Sequence, residues 1–168
     1  LCMRKVIVIC AILLGSGGIA LAQGAPPAPA NRAPRPPSMS LTSSSFTDGG
    51  IIPDKYTQNS PNPVSPALAW ENPPPGTMSF ALIMHDPDTA PGKSAVDILH
   101  WMAFNIPATT RSLPEGVPNT ATLPDGTIQP NARNGKPGFM GPGAGAPVYH
   151  HYTIELFALD NTLALGPD

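Results

Sequence analysis

Proline limits this chain more than any other residue type. It supplies 24 of 168 positions, from Pro26 to Pro167, in a sequence that also holds 16 glycines. An interior proline removes a helical hydrogen bond and clashes with the preceding turn, at a cost of about 3 kcal/mol. Inside a sheet it removes a ladder donor, so it is confined to edges and strand ends. Long helices are therefore excluded, and short strands with prolines between them are favoured. No window of 12 residues beyond the first 22 shows a convincing helical period.

The apolar runs agree. Met78–Met84 is apolar on both faces, as is Leu99–Ile106, and Tyr152–Leu159 makes a third such run. Both-face apolarity predicts strands buried on both sides. Leu41–Phe46 and Ala67–Trp70 are shorter candidates. Between them stand Asn72-Pro73-Pro74-Pro75-Gly76, Asp86-Pro87-Asp88 and Leu123-Pro124-Asp125-Gly126, all strong turn formers. The expected fold is mainly β, an antiparallel sandwich whose long connections, Pro107–Gln129 and Pro130–Val148, are natural places for binding.

That domain is expected to span residues 41–168. Residues 1–22 read as an export signal: Arg4 and Lys5 precede an apolar run from Val6 to Leu14, and Ala20-Leu21-Ala22 is a small-x-small cleavage pattern. Cleavage near Ala22 implies a periplasmic or secreted protein. It also removes both cysteines, Cys2 and Cys10, so the remaining chain has no disulfide to draw on. Residues 23–40 hold six prolines and almost no large apolar side chain. Such a segment cannot bury enough surface to offset its ordering entropy and reads as an extended linker.

Charged residues make up 12% of the chain, against about 25% in an ordinary soluble domain. With a formal charge of −2 and no Lys/Arg cluster, a nucleic-acid partner is not expected. Nor is a serine hydrolase, because no Gly-x-Ser-x-Gly elbow is present.

Titratable residues gather near strand ends at three places: His85-Asp86-Pro87-Asp88-Thr89-Ala90-Pro91, His100-Trp101, and Gly138-Phe139-Met140-Gly141-Pro142 followed by Tyr149-His150-His151-Tyr152. In a strand, alternate side chains share a face. His150 and Tyr152 thus fall on one side with Ile154 and Leu156, and His151 on the other with Glu155 and Phe157. Taken singly, a strand-end histidine is more often a hydrogen-bonded structural group, and Asp-Pro-Asp is mostly turn chemistry.

Taken in order, these stretches resemble the phosphatidylethanolamine-binding protein family, in its bacterial, exported, Raf-kinase-inhibitor-like branch. Ile52-Pro53-Asp54-Lys55-Tyr56-Thr57, Ser65–Trp70, Pro75-Gly76-Thr77 and Leu113-Pro114-Glu115-Gly116 complete the series, so the likeness runs from about Leu41 to the end. The resemblance implies a β-sandwich-like domain with a small anion pocket at one end, no metal and no cofactor. It also implies no catalytic turnover. Ligand-binding positions carried over are Asp86, His100, Gly141, Gly143, His150 and Tyr152, with Asp88, Trp101 and Pro142 in support. The implied partner is a small anion or a phospholipid head group met at a membrane surface. Alternatives are a metal-dependent hydrolase using Asp86, His100 and His150, and a protease- or kinase-inhibitor-like interaction domain. The family continues past Leu165-Gly166-Pro167-Asp168 into a helix and a last strand, so a chain lacking both is expected to expose apolar surface.

Overall fold

The computed structural model describes residues 38–89, 97–144 and 148–168. The proposed signal at 1–22, the linker as far as residue 37, and Ala90-Pro91 lie outside the described residues. In chain order the strands are β1 (Ser40–Thr42), β2 (Leu68–Glu71), β3 (Ser79–Asp86), β4 (Ile98–Pro107), β5 (Ser112–Leu113) and β6 (Thr153–Leu159), with one turn of 3-10 helix at Asp54–Tyr56. Prolines mark their ends. β2 runs into Asn72-Pro73, β3 stops before Pro87, β5 stops before Pro114, and β4 keeps its proline as the last residue. At each of these points the ladder would otherwise lose a donor.

The strands form two antiparallel three-stranded sheets, β1-β2-β5 and β4-β3-β6. The fold is mainly β, as the sequence leads one to expect. Leu41 pairs with Trp70 and Ala69 with Ser112 in the first sheet. Leu82 lies between Ala103 and Leu156 in the second. The core fills the space between them: Leu68 and Trp70 from one sheet meet Phe80, Leu82, Met84, Trp101 and Ile106 from the other. The Trp70 ring stands edge-on to Phe80, with centroids 5.4 Å apart. Each such fully buried side chain contributes about 1.5–3 kcal/mol by leaving water.

Two bulges shape β4 against β3. One falls between the pairs Phe80–Ile106 and Leu82–Ala103, where Asn105 takes a positive φ of 57°. The other falls between Met84–Trp101 and His85–Leu99.

Three details differ from expectation. The first strand stops at Thr42 rather than Phe46, because Ser43 and Ser45 use their hydroxyls to bond the backbone of Ala67 instead of continuing the ladder. The short β5 and the 3-10 turn are too brief to leave a periodic signal. The last strand is not buried on both faces: its side chains alternate between exposed and half-buried, and Phe157 is 42% exposed. β6 is an edge strand, and only its inner face has the opposite sheet to pack on.

Candidate functional site

Period-two alternation along β3 sends Phe80, Leu82 and Met84 into the core and carries Asp86 to the same side, one step beyond the last apolar layer. The carboxylate is therefore buried, with 3% of the residue exposed. Its oxygens are satisfied locally. The Asp88 N–H donates to Oδ1 at 3.0 Å, and the Thr89 hydroxyl donates to Oδ2, also at 3.0 Å. His150 Nδ1 lies 2.7 Å from the same Oδ2 and 2.9 Å from Thr89 Oγ1. Burial works to raise the Asp86 pKa, but the bonds from His150 and Thr89, the His150 charge and the Asp88 N–H outweigh it. The carboxyl is held below its ordinary value.

His100 reaches the same place by a different device. The bulge opposite Met84 and His85 skips it in the register, so both His100 and its neighbour Trp101 turn inward, at 3% and 0% exposure. An unbroken strand would put them on opposite faces; bulges commonly re-aim side chains in this way. His100 is then tied to Met140 twice. The Met140 N–H donates to the His100 carbonyl at 2.7 Å, and His100 Nδ1 bonds the Met140 carbonyl at 3.0 Å. A carbonyl can only accept, so Nδ1 carries the proton and Nε2 is left for other use. Burial lowers the His100 pKa, against the Met140 carbonyl, the Asp86 charge and the Gly141 backbone.

Tyr152 stands edge-on to His100 at 5.1 Å and stacks over His150 at 6.4 Å between ring centroids. Burial raises its phenol pKa, and Asp86 adds to the effect while the backbone of Gly143 and Ala144 opposes it. Together these groups line a cavity of about 450 Å³. Asp86, His100, Gly143, His150 and Tyr152 are all on its wall.

The remaining candidate positions are placed elsewhere. Gly141 does not line the cavity: its carbonyl accepts from Gln58 Nε2 at 2.9 Å, and a side chain there would meet the Tyr56 carbonyl at 2.9 Å. The Pro142 carbonyl accepts from the Gln58 N–H at 2.8 Å, so the carbonyls of both residues tie this loop to Gln58. Trp101 belongs to the core, not the pocket wall, and its Nε1–H donates to Gln129 Oε1 at 2.8 Å. Asp88 accepts from both the backbone and the ring of His151 at 2.7 Å, which clips the segment entering β6 to the turn after β3. That His151 N–H, with the ring behind it, holds the Asp88 carboxyl below its usual range. His151 itself is 89% exposed along its side chain and takes no part in the cavity. His85, also outside it, pairs with Asp97 and Glu155 on the outer face.

Sequence reasoning missed Gln58, Ile98, Arg133, Asn134, Met140 and Ala144, which complete the wall, and gave Thr89 no role there. Thr89, Met140 and Ala144 lie within or beside motifs already singled out; Gln58 and Arg133 carry no local signal. Among the described residues, no group of three or more His, Cys, Asp or Glu side chains could hold a metal ion, and Asp86, His100 and His150 do not make one.

Comparison with known proteins fits this architecture. Residues 42–168 match the family model for phosphatidylethanolamine-binding protein. A UPF0098 protein of Methanothermobacter thermautotrophicus is 42% identical over 129 residues, covering 77% of this chain and 82% of its own. The UPF0098 protein YbhB of Escherichia coli is 35% identical over 127 residues, covering 73% and 78% respectively. The crystal structure of Escherichia coli YbcL, a member of the mammalian PEBP family, superposes with a TM-score of 0.67 at 30% identity, over 76% of this chain and 81% of that one. With a mainly β fold of two antiparallel sheets and this match over most of its length, the chain belongs to the phosphatidylethanolamine-binding protein family.

Proposed function

We propose that the domain is a non-catalytic binding module for a small anion, the phosphate of a phospholipid head group or of another phospho-compound. The observation that supports this reading is the convergence of Asp86, His100, His150 and Tyr152, from three distant stretches of chain, on one cavity. A buried carboxylate looks misplaced beside an anion. Here it is matched by His150 across 2.7 Å, and it can accept the proton of a mono-protonated phosphate. His100 and Tyr152 line the same cavity. The Tyr152 hydroxyl is a donor, and so is His100 Nε2 once the ring is protonated; charge-assisted bonds to phosphate are roughly twice as strong as neutral ones.

At neutral pH His100 has little charge of its own, since burial depresses its pKa. An anion arriving at Nε2 favours the protonated ring, so binding takes up a proton and affinity falls as pH rises. The export pattern over Arg4–Ala22 places the module, in this reading, on the outer side of a membrane, where head groups are available.

Thermal-shift and calorimetric titrations with phosphate, phosphoethanolamine and acetate test the reading. The wild type is expected to be stabilised by the phospho-compounds, more strongly at about pH 5.5 than at about pH 8.5. The double variant His100→Ala/His150→Ala is expected to melt cooperatively without that ligand shift. Retention of the shift in the double variant would overturn the site; a pH-independent affinity would remove the histidines as donors.

A further inference from the structure

We infer that Arg133 is the specificity-determining residue of this cavity, the rim cation that makes it take a phosphate monoester in preference to a carboxylate. The inference rests on the anion-binding reading above and concerns which anion the same cavity selects.

The cavity's charges are unequally committed. The negative charge of Asp86 and any positive charge on His150 face each other at 2.7 Å and match internally. Each histidine has its Nδ1 engaged within the protein, His100 on the Met140 carbonyl and His150 on Asp86 and Thr89. At most one ring nitrogen of each is left for a ligand. Among the described residues, Arg133 is the one permanently charged cation on the wall, and its guanidinium has no carboxylate partner there. Lys136, on the same turn, does not line the cavity.

The rim position is fixed by the backbone. The Arg133 N–H donates to the carbonyl of Leu99, the residue before His100, at 3.0 Å. The turn that carries it is closed by Ala132 N–H to the Lys136 carbonyl at 2.8 Å, and Gly135 supplies a φ of +72° that other residues rarely adopt. Asn131 and Pro137 pair at its base as an isolated bridge. The Arg133 backbone and His100 are thus held to a single strand, β4.

Two features of the ligand follow. A volume of about 450 Å³ lies within the range of small-molecule sites and exceeds what an inorganic phosphate fills, which leaves room for an organic ester group. A phosphate monoester has three terminal oxygens and close to two negative charges at neutral pH. It can give two oxygens to the guanidinium fork and still present a third to the floor at His100, His150 and Tyr152. A carboxylate has two oxygens and one charge, so it satisfies the rim or the floor but not both.

The test is calorimetric titration of the full chain at about pH 7 with phenyl phosphate and with phenylacetate, for the wild type, Arg133→Ala and Arg133→Lys. Arg133→Ala is expected to lose at least about tenfold in affinity for phenyl phosphate, the scale of one bidentate charged contact, and less than about threefold for phenylacetate. Arg133→Lys, which keeps the charge and gives up the fork, is expected to fall between. Arg133→Ala binding phenyl phosphate as the wild type does, or losing equally for both ligands, overturns the role of Arg133 and leaves the anion site standing. A wild type that binds neither compound, nor phosphate, overturns both.

Discussion

Asp86 and His150 are 64 residues apart in the chain, and in the fold Oδ2 of one lies 2.7 Å from Nδ1 of the other. The Thr89 hydroxyl bonds the same carboxylate oxygen, which closes a triangle of three side chains at the end of the core. A carboxylate that leaves water loses its hydration, and only partners of this quality offset that loss. His150 lies three residues before β6, so the pair joins the turn after β3 to the segment that leads into the last strand.

The pair makes stability depend on pH in a definite direction. Asp86 is held below its ordinary pKa in the folded state. Its stabilising contribution is therefore present above the unfolded value near pH 4 and is lost as pH falls through the folded value. Asp86→Asn keeps the shape and removes the charge. At neutral pH the variant is expected to be less stable by about 1–3 kcal/mol. The gap between the two melting temperatures should narrow below about pH 4. Melting curves of both proteins across the acid range check this, and a gap unchanged down to about pH 2.5 would mean the charge contributes nothing.

His100 gives a second signature, in its tautomer. The Met140 carbonyl requires the proton on Nδ1, and burial lowers the ring's pKa. Long-range nitrogen–proton spectra of the ligand-free protein are expected to show a neutral ring protonated at Nδ1 at pH 7. Its titration midpoint is expected below the ordinary value near 6.5. Saturating phosphate should move that midpoint upward. Because the folded pKa is depressed, this group's contribution to stability is present above the unfolded value and declines as pH falls through the folded one.

How much of this could be read beforehand depends on which residues were local. The parity of His150, Tyr152 and Ile154 separates His150 from His151, whereas Asp86 follows a run that is apolar on both faces, and its place on the inner side shows only in the burial along β3. His100 is no more legible. Nothing in Leu99-His100-Trp101 announces a bulge, which is a property of how β4 meets β3, so only the family resemblance pointed to it. Gln58 and Arg133 were invisible because backbone bonds made far along the chain, Gln58 N–H to the Pro142 carbonyl and Arg133 N–H to the Leu99 carbonyl, decide where they stand. The same bulge that turns His100 to the cavity leaves the Trp101 indole in the core.

The other bulge carries a prediction of its own. Asn105 sits at φ 57°, and its side chain donates to the Leu163 carbonyl at 2.9 Å and accepts from the Leu163 N–H at 2.8 Å. Asparagine tolerates this backbone region better than most residues, and the paired bonds hold the segment after β6 to β4. Asn105→Ala loses both bonds and adds backbone strain, for an expected cost of about 2–4 kcal/mol. Asn105→Gly loses the bonds without the strain and should cost about 1–2 kcal/mol less than alanine. Urea denaturation of the three proteins gives the order directly. Glycine and alanine variants of equal stability would show that the left-handed backbone is not what asparagine serves.

Gly141 and Gly143 look alike in sequence and differ in what surrounds them. A Cβ on Gly141 would meet backbone, the Tyr56 carbonyl oxygen at 2.9 Å and the Thr57 carbonyl carbon at 3.0 Å, with Pro63 at 3.1 Å behind. Backbone atoms cannot swing aside, so Gly141→Ala must push the loop away from the Tyr56–Gln58 segment, at an expected cost of about 1–3 kcal/mol. A Cβ on Gly143 would fall 2.5 Å from the Gln58 side-chain amide carbon. That group is the far end of a flexible side chain, held to the Gly141 carbonyl at 2.9 Å, and it can rotate out for roughly the value of one hydrogen bond, about 1 kcal/mol. Gly143 and Gln58 both line the cavity, whereas Gly141 does not. The two substitutions should therefore separate: Gly141→Ala lowers stability more, and Gly143→Ala changes phosphate affinity more. Denaturation and calorimetry on the same pair of variants test both halves, and a larger affinity change at Gly141 would mean that this loop meets the ligand through the wrong glycine.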